Sequence, residues 1–493
     1  MMEIAQLLSV GLAAAVVFLA VFRRGIISHG RAPPPPKLIE ISDSAAARVA
    51  LIDHADAFSN RPATPFAVPL VTGRRRRRSD SISSARHGPL WRALRCNLTA
   101  DALHPSRFGL LAPLQRAAVA TLVADVASLS PAGDGTAAVV VRDAVHAAVF
   151  GLVARMCFGD ALVDGMGAGR LLAMRRVMQG FVRAIGEANA FGGSSLARLL
   201  HYRRWRRFLA FRGEQAAFFL PLVAERQRRR RLSGECCNDG GGGVNPYVDT
   251  LIDLRVPDDD DDDGGEDIPS SRRAVADDEM VSLLSEFLGA STESAVSCVE
   301  WTLAHLAQRP EAQAKLRREL AGDGEHSHSA ERLRGLPYLH AVVLESLRLH
   351  PPVPFLMRHV DDGDVHAAEG LVAGGAAVPA GGTRVHFLIR DMARDGKDWT
   401  AADEFRPERF LAGGEAEGVG AVPGPREIRM MPFGAGRRYC PGAGMGMMHI
   451  KCFLAALVRE FEWAAAGGVD MTELDGFFKV MKTPLRVHVK RST

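Results

Sequence analysis

The longest continuous hydrophobic pattern lies at the N-terminus, where residues 4–22 are apolar apart from one glutamine and one serine. A helix needs about 20 such residues to cross a bilayer, so the pattern predicts a membrane span. Arg23 and Arg24 follow the run and Glu3 precedes it, whereas a secretory signal carries its positive charge first. We therefore expect residues 1–24 to be a signal anchor that leaves the following chain in the cytosol, with a cleaved signal peptide and a buried core helix as alternatives.

Two stretches interrupt the hydrophobic pattern. Residues 25–37 contain four consecutive prolines, which cannot continue a helix and favour a stiff polyproline strut. Residues 226–273 combine runs of arginine, glycine and aspartate, a composition typical of a solvated low-complexity loop. Inside that loop, residues 247–254 predict a short helix.

A long helix is predicted from Asp277, the expected N-cap, to Arg309, because apolar residues recur at helical spacing throughout. At roughly 45 Å it would cross a large domain. Its middle, residues 289–294, consists of small residues, hydroxyl residues and Glu293. Two interpretations stay open. The first is a close helix–helix contact, with Glu293 on a solvent-exposed face. The second is a local widening of the helix where an acid and an alcohol deliver protons to a ligand.

A second helix is predicted over residues 338–350 and ends at Pro351. Glu345 and Arg348 share one face of it and can form an ion pair. Such pairs are common, and an exposed surface pair is the ordinary explanation. Arg409 lies further on in a proline-containing loop.

Composition narrows the class of protein. Hydrophobic residues are 47% and charged residues 24%, with a net charge of +4, which is ordinary globular usage and too mild for nucleic acid as the main partner. The seven cysteines include no C-x-x-C pair, so neither a disulfide framework nor a zinc ribbon is indicated. The thiols fit a reducing compartment.

One cysteine, Cys440, stands in an unusual loop, residues 431–444, with several glycines, two arginines and two aromatic residues. A glycine-rich turn around an inert thiol would not need this set. A thiolate ligand needs backbone N–H groups and positive charge to stay ionised, and the predicted helix after Gly444 presents its positive end to it. Glycines would let the backbone approach a flat macrocycle, Phe433 could shield the sulfur, and Arg438 could pair with an anionic group.

These fixed positions, Phe433, Gly436, Arg438, Cys440 and Gly442, match the cysteine-loop signature of the cytochrome P450 superfamily. The resemblance runs from about residue 37 to residue 489 and is closest to the plant microsomal, A-type group. Companion motifs occur in the family's order. They are Trp91 with Arg95, residues 290–294, Glu345 with Arg348, and residues 407–410.

The resemblance implies a mainly α (α+β) fold, with haem between the long helix and the cysteine loop and with small β-sheets. It implies haem b as cofactor and Cys440 as the axial thiolate ligand of its iron. The other implied cofactor-binding residues are Phe433, Gly436, Gly442, Trp91, Arg95, Arg438, and either His359 or Arg358.

The resemblance also implies roles in catalysis, folding and electron supply. The implied proton-delivery residues are Glu293, Ser294 and Thr292. The implied structural triad is Glu345, Arg348 and Arg409. The implied contacts for an NADPH-dependent reductase are Arg92 and Arg437. The implied substrate-pocket residues are Phe191, Phe287, Leu356, Phe477 and Phe478.

Two departures from the family pattern stand out. Ser291 and Ser294 replace the usual glycine and threonine, and a serine lacks the methyl group that fixes the rotamer. We therefore expect leakier oxygen activation. The strut also joins the segment from Leu38 almost directly, so the first helix and strands of the domain, on the order of fifty residues, are expected to be missing. Such a loss would leave a sheet edge unpaired.

The predicted function is a haem-dependent monooxygenase in the endoplasmic reticulum membrane, with residues 38–493 as its cytosolic domain. It would insert one oxygen atom of O2 into a small apolar metabolite, with electrons from an NADPH–cytochrome P450 reductase and with membrane lipid, but not nucleic acid, as a further partner. The main alternative is a non-catalytic, decayed chain, because of the missing elements. A haem-thiolate isomerase or dehydratase is disfavoured by the acid–alcohol pair.

Overall fold

The computed structural model of the protein leaves some segments outside its description. The described residues are 38–62, 80–130, 134–188, 195–233, 245–257, 272–321, 330–364 and 382–492. The predicted anchor (1–24), the strut (25–37) and Phe191 lie outside them and stay predictions.

Helices make up most of the described chain, in agreement with the mainly α expectation. In chain order they are α1 (Ser44–Arg48), α2 (Pro89–Asn97), α3 (Ala112–Leu129), α4 (Arg142–Phe158), α5 (Asp160–Gly186), α6 (Ser195–Leu200), α7 (Tyr202–Ser233), α8 (Tyr247–Asp253), α9 (Asp277–Ala307), α10 (Pro310–Leu320), α11 (Ala330–Arg334), α12 (Pro337–Leu349), α13 (Ile389–Met392) and α14 (Ala443–Glu460). A π-helical turn, Val49–Asp53, extends α1, and short 3-10 turns form at Pro407–Phe410 and Gly436–Arg438.

Small sheets flank the helices. Their strands are β1 (Leu38–Ile41), β2 (Asp134–Val140), β3 (Arg255–Pro257), β4 (Arg272–Ala274), β5 (Phe355–Val360), β6 (Thr383–Leu388), β7 (Phe461–Ala465) and β8 (Arg486–Arg491). The first sheet has the order β1-β6-β5, with β1 parallel to β6 and β5 antiparallel to it. The second has the antiparallel order β2-β8-β7, and β3 pairs with β4.

The predicted long helix is confirmed as α9, an unbroken helix that is buried along most of its length. It packs against α4, α12 and α14 in the main hydrophobic core. Asp277 is its first helical residue rather than its N-cap. The cap is supplied by Glu279, whose carboxylate accepts the N–H of Ala276 at 2.8 Å.

The predicted loop 226–273 is wrong at its N-terminal boundary, because α7 continues to Ser233. Arg226 and Asp249 form a buried ion pair at 2.6 Å that joins α7 to α8, and Arg230 lies 2.7 Å from Asp253. These acidic partners stabilise the arginine-rich end as helix, since opposite charge from a second element offsets the repulsion within the run. The short predicted helix at residues 247–254 is confirmed as α8.

Within the described part of the chain, β1 lies at an edge of its sheet, with β6 on its paired side. The predicted loss of a preceding helix and strands concerns what stands before Leu38, so it stays a prediction. Among the described residues, no single helix has the length and hydrophobicity to span a bilayer; one pair, Pro89–Arg107 with Ala112–Leu129, meets both criteria jointly but is bent by 81°.

Candidate haem-thiolate site

The cysteine loop is closed by hydrogen bonds between its own backbone groups. The N–H of Cys440 donates to the carbonyl oxygen of Phe433 at 2.8 Å, so the two ends of the loop meet. Gly436 has φ +71°, and a Cβ there would overlap the carbonyl oxygen of Leu51 in the π-helical turn after α1. Glycine is therefore required at this position by backbone conformation and by contact with Leu51.

The Cys440 thiol is partly buried and lies just before the N-terminus of α14. Burial raises the pKa of Cys440, and the N–H of Gly442 with the guanidinium groups of Arg95 and Arg61 partly offsets that rise. A Cβ on Gly442 would lie 3.9 Å from Cys440 Sγ, so this glycine lies directly beside the sulfur. A thiol in these surroundings is neutral by itself, and a metal ion would ionise it because coordination replaces the proton.

Four guanidinium groups converge beside this loop, from Arg61, Arg95, Arg358 and Arg438. Burial, together with Arg61 and Arg95, lowers the pKa of Arg438 to about 9. The pKa of Arg358 is also lowered, first by burial and then by Arg61 and Arg438. Cations that depress one another's pKa in a buried place form a site for an anion.

Three N–H groups in this cluster find no hydrogen-bond partner among the described residues. They belong to Trp91 Nε1, Arg95 Nη2 and Arg358 Nε. Arg95 lies over the rings of Trp91 and Tyr439, with its guanidinium carbon 5.5 Å and 4.6 Å from the ring centroids. Buried donors of this kind are normally satisfied, so they fit the carboxylate groups of a haem.

Arg438 has a structural role as well. It donates to the carbonyl oxygens of Ser59 at 2.7 Å, Ile82 at 3.0 Å and Ala85 at 2.7 Å. On the other side of the same segment, Glu286 of α9 accepts the N–H of Ile82 at 2.9 Å. The segment before α2 is therefore held between the cysteine loop and the long helix.

Of Arg358 and His359, only Arg358 reaches the cysteine loop. Consecutive residues of a strand point to opposite faces, and Arg358 Nη2 lies 3.4 Å from the carbonyl oxygen of Ala435 in the cysteine loop. His359 lies on the other face, where its Nε2 is 3.4 Å from Asp361. His359 therefore does not face the cysteine loop, and a haem contact of its side chain stays a prediction.

On α9, the residues of the acid–alcohol motif separate onto two faces. Ala290 is exposed although it stands in the middle of a buried helix, and Ser294, one turn later, donates its Oγ hydrogen to the Ala290 carbonyl at 2.7 Å. These two residues mark an open face. Thr292 is only 1% exposed, and its Oγ1 has no partner within the described ranges. Positions two apart on a helix lie on opposite sides, so Thr292 does not share the face of Ser294.

Glu293 points toward α4, where its Oε1 lies 2.9 Å from Nε2 of His146. His146 was missed by the sequence analysis, since nothing in the sequence near it resembles a motif. Arg61 was missed for the same reason: only the tertiary structure brings it beside Arg358 and Arg438.

The triad is assembled and fully buried. Arg348 and Arg409 contact the Glu345 carboxylate at 2.7 Å and 3.0 Å, and all three side chains are at most 1% exposed. The alternative of an exposed surface pair is therefore wrong. Glu415 also pairs with Arg409, and Trp399 lies under Arg348 with 4.9 Å from ring centroid to guanidinium carbon.

The remaining predicted residues divide into surface and interior positions. Arg92 is exposed, and Arg437 forms an exposed ion pair with Asp56 at 2.9 Å. Phe287 is buried and stacked on Tyr247, with 4.8 Å between ring centroids, so it contributes to packing between α9 and α8.

Three further pocket candidates lie at partly open positions. Leu356 is half-buried, and Phe477 is 37% exposed with the ring of Phe478 5.0 Å away. The backbone N of Phe477 would lie 3.2 Å from a Cβ on Gly186, so this turn meets the C-terminal end of α5.

Comparison with known proteins agrees with the geometry. The family model described as Cytochrome P450 matches residues 35–491. Cytochrome P450 89A9 of Arabidopsis thaliana is 34% identical over 464 residues, 92% of this chain and 84% of its own. Flavonoid 3'-monooxygenase of Arabidopsis thaliana is 36% identical over 251 residues, 49% of this chain and 45% of its own.

Among solved structures, one of a zebra fish cytochrome P450 with progesterone superimposes with a TM-score of 0.70 at 20% identity. The match covers 94% of this chain and 96% of that one, and it supports the fold. The chain belongs to the cytochrome P450 family. It is therefore an oxidoreductase of the class that uses a haem iron. The two relatives named above are plant proteins.

Proposed function

We propose that this chain is an active haem b monooxygenase, anchored in the endoplasmic reticulum membrane by residues 1–24, with its domain in the cytosol. Its substrate is a small apolar molecule, and its electrons come from an NADPH-dependent reductase. When bound, the haem iron supplies the oxygen chemistry. One observation carries the proposal: the Cys440 thiol lies beside a cluster of arginines in which two buried groups, Arg95 Nη2 and Arg358 Nε, have no partner among the described residues.

The residues around Cys440 and those of the α9 motif have separate roles in the proposed enzyme. Cys440 would bind the iron, while Trp91, Arg95 and Arg358 would donate to the haem carboxylates through the three N–H groups that lack partners in the described chain. Arg61 and Arg438 would add positive charge from beside them. Ser294 on the open face of α9 and Glu293 beside it, on the side of α4, would hold and move protons.

Membrane attachment and electron supply rest on separate features. The apolar run at residues 4–22 with Arg23 and Arg24 after it supports a signal anchor. Exposed Arg92 and Arg437, on the side of the cysteine loop, support docking of an acidic reductase surface. The exposed pair of Arg437 with Asp56 is weak and can exchange partners.

The test is spectroscopic. Purified full-length protein, reduced and treated with carbon monoxide, should show the red-shifted Soret band of a thiolate-ligated haem, and Cys440→Ser should lose it. With reductase in phospholipid vesicles, NADPH should then be consumed in an O2-dependent reaction. A well-folded protein that shows no such band would overturn the proposal and favour the non-catalytic alternative.

A further inference from the structure

The acid of the α9 motif has a partner that the family resemblance does not supply. His146 of α4 is buried, and its Nε2 lies 2.9 Å from Glu293 Oε1, with the two side chains 4% and 16% exposed. Its ring also packs on Phe150 of the same helix, with 6.3 Å between centroids. The imidazole is thus held in one orientation by packing and one hydrogen bond.

The ring of His146 has one polar contact among the described residues, through Nε2. His146 Nδ1 is buried and meets no partner in the described part of the chain. With its hydrogen on Nε2, the imidazole donates to the Glu293 carboxylate.

A neutral donor suits a carboxylate that must exchange protons. If a guanidinium held Glu293, each protonation of the carboxylate would leave a buried cation without compensation. A neutral imidazole leaves no such charge, so Glu293 can gain and lose a proton while one of its oxygens stays fixed. No partner of its other oxygen, Oε2, is found among the described residues, and Ser294 on the open face follows it directly in α9.

The geometry points to His146 as the positioning residue that orients Glu293 for proton delivery. This inference rests on the proposed function. His146 acts through Glu293 and donates no proton to a substrate itself. The same two helices provide a matched control: Arg142 of α4 and Glu300 of α9 form a second pair at 2.7 Å, two turns of α9 away from Glu293.

The experiment compares His146→Leu, His146→Gln and the control Arg142→Gln in the full-length holoenzyme. With reductase in phospholipid vesicles and no added substrate, electrons from NADPH reduce O2 to peroxide or to water. His146→Leu should raise the peroxide released per NADPH consumed several-fold. His146→Gln, whose amide can still donate to Glu293, should keep this ratio close to the wild-type value. Arg142→Gln should lower thermal stability and leave the ratio unchanged. An equal rise in all three variants, or none in His146→Leu, would overturn the inference.

A double-mutant cycle provides a readout that does not depend on turnover. The thermal unfolding midpoints of His146→Leu, Glu293→Ala and the double variant should be non-additive, because each single change removes the one hydrogen bond that the two groups share. Additive shifts would contradict the contact. Absence of the thiolate Soret band in the wild-type protein would refute the proposed function instead, while the cycle would still report on the contact.

Discussion

Arg358 and His359 follow each other in β5, yet only Arg358 reaches the cysteine loop, 3.4 Å from the carbonyl oxygen of Ala435. His359 lies on the opposite face, 3.4 Å from Asp361. Because Arg358 Nε is buried and unpartnered among the described residues, Arg358→Leu should remove a charge-assisted contact to the haem. Such a contact is typically worth about 1.5–3 kcal/mol, so haem should dissociate roughly tenfold faster or more.

The check is the rate of haem transfer to an excess of apomyoglobin, followed by absorbance. His359→Gln is the matched control and should retain haem as the wild type does, because its side chain faces away from the loop. Faster haem loss from His359→Gln, with an unchanged rate in Arg358→Leu, would show that His359 and not Arg358 contacts the haem.

Gly436 should tolerate no side chain. In Gly436→Ala the methyl group would overlap the Leu51 carbonyl, and the φ of +71° would be strained as well. Gly467 has φ +89° and open space around it, so Gly467→Ala isolates the cost of the backbone conformation, about 1–3 kcal/mol. Thermal unfolding of both variants should show the larger loss at Gly436, with loss of the thiolate spectrum only there. Equal losses would mean that the Leu51 contact is unimportant.

Ser294 should support oxygen activation less firmly than a threonine would. Its hydroxyl bonds the Ala290 carbonyl at 2.7 Å, but without a β-methyl group its rotamer is less restricted. Ser294→Ala should raise peroxide released per NADPH several-fold, and Ser294→Thr should lower it below the wild-type value. An unchanged ratio in Ser294→Ala would remove Ser294 from the relay and favour Ser291, since Thr292 faces the buried side.

Acid should destabilise the fold partly through His449 of α14. Burial lowers the pKa of His449 to about 4, against about 6.5 in an unfolded chain. Between these values the unfolded chain binds a proton that the folded chain does not, so stability falls as pH drops below about 6.5 and is unaffected above it. The size is at most a few kcal/mol, since one pKa unit corresponds to about 1.4 kcal/mol. His449→Leu should flatten the fall in unfolding midpoint between about pH 7 and pH 5; an unchanged slope would contradict this assignment.

Local sequence was sufficient to predict an element or a contact wherever the interacting residues are near one another in the chain. The apolar periodicity that predicted α9 and α12 gave their extents almost to the residue, and the spacing of Glu345 and Arg348 placed both on one face. The arginine-rich end of α7 was misjudged because its stability comes from Asp249 and Asp253 on a different helix. Charge composition alone describes such a segment as a solvated loop.

By itself, the sequence determined the family and distinguished Cys440 from the other cysteines, because the cysteine loop depends on residue types at fixed short spacing. The tertiary structure alone decided which arginines meet beside Cys440, which of Arg358 and His359 faces the loop, and that Glu293 binds His146. The physical reason is range. Spacing along one helix or turn defines which neighbours share a face, whereas contacts between α4 and α9, or between β5 and the cysteine loop, depend on how separate elements pack.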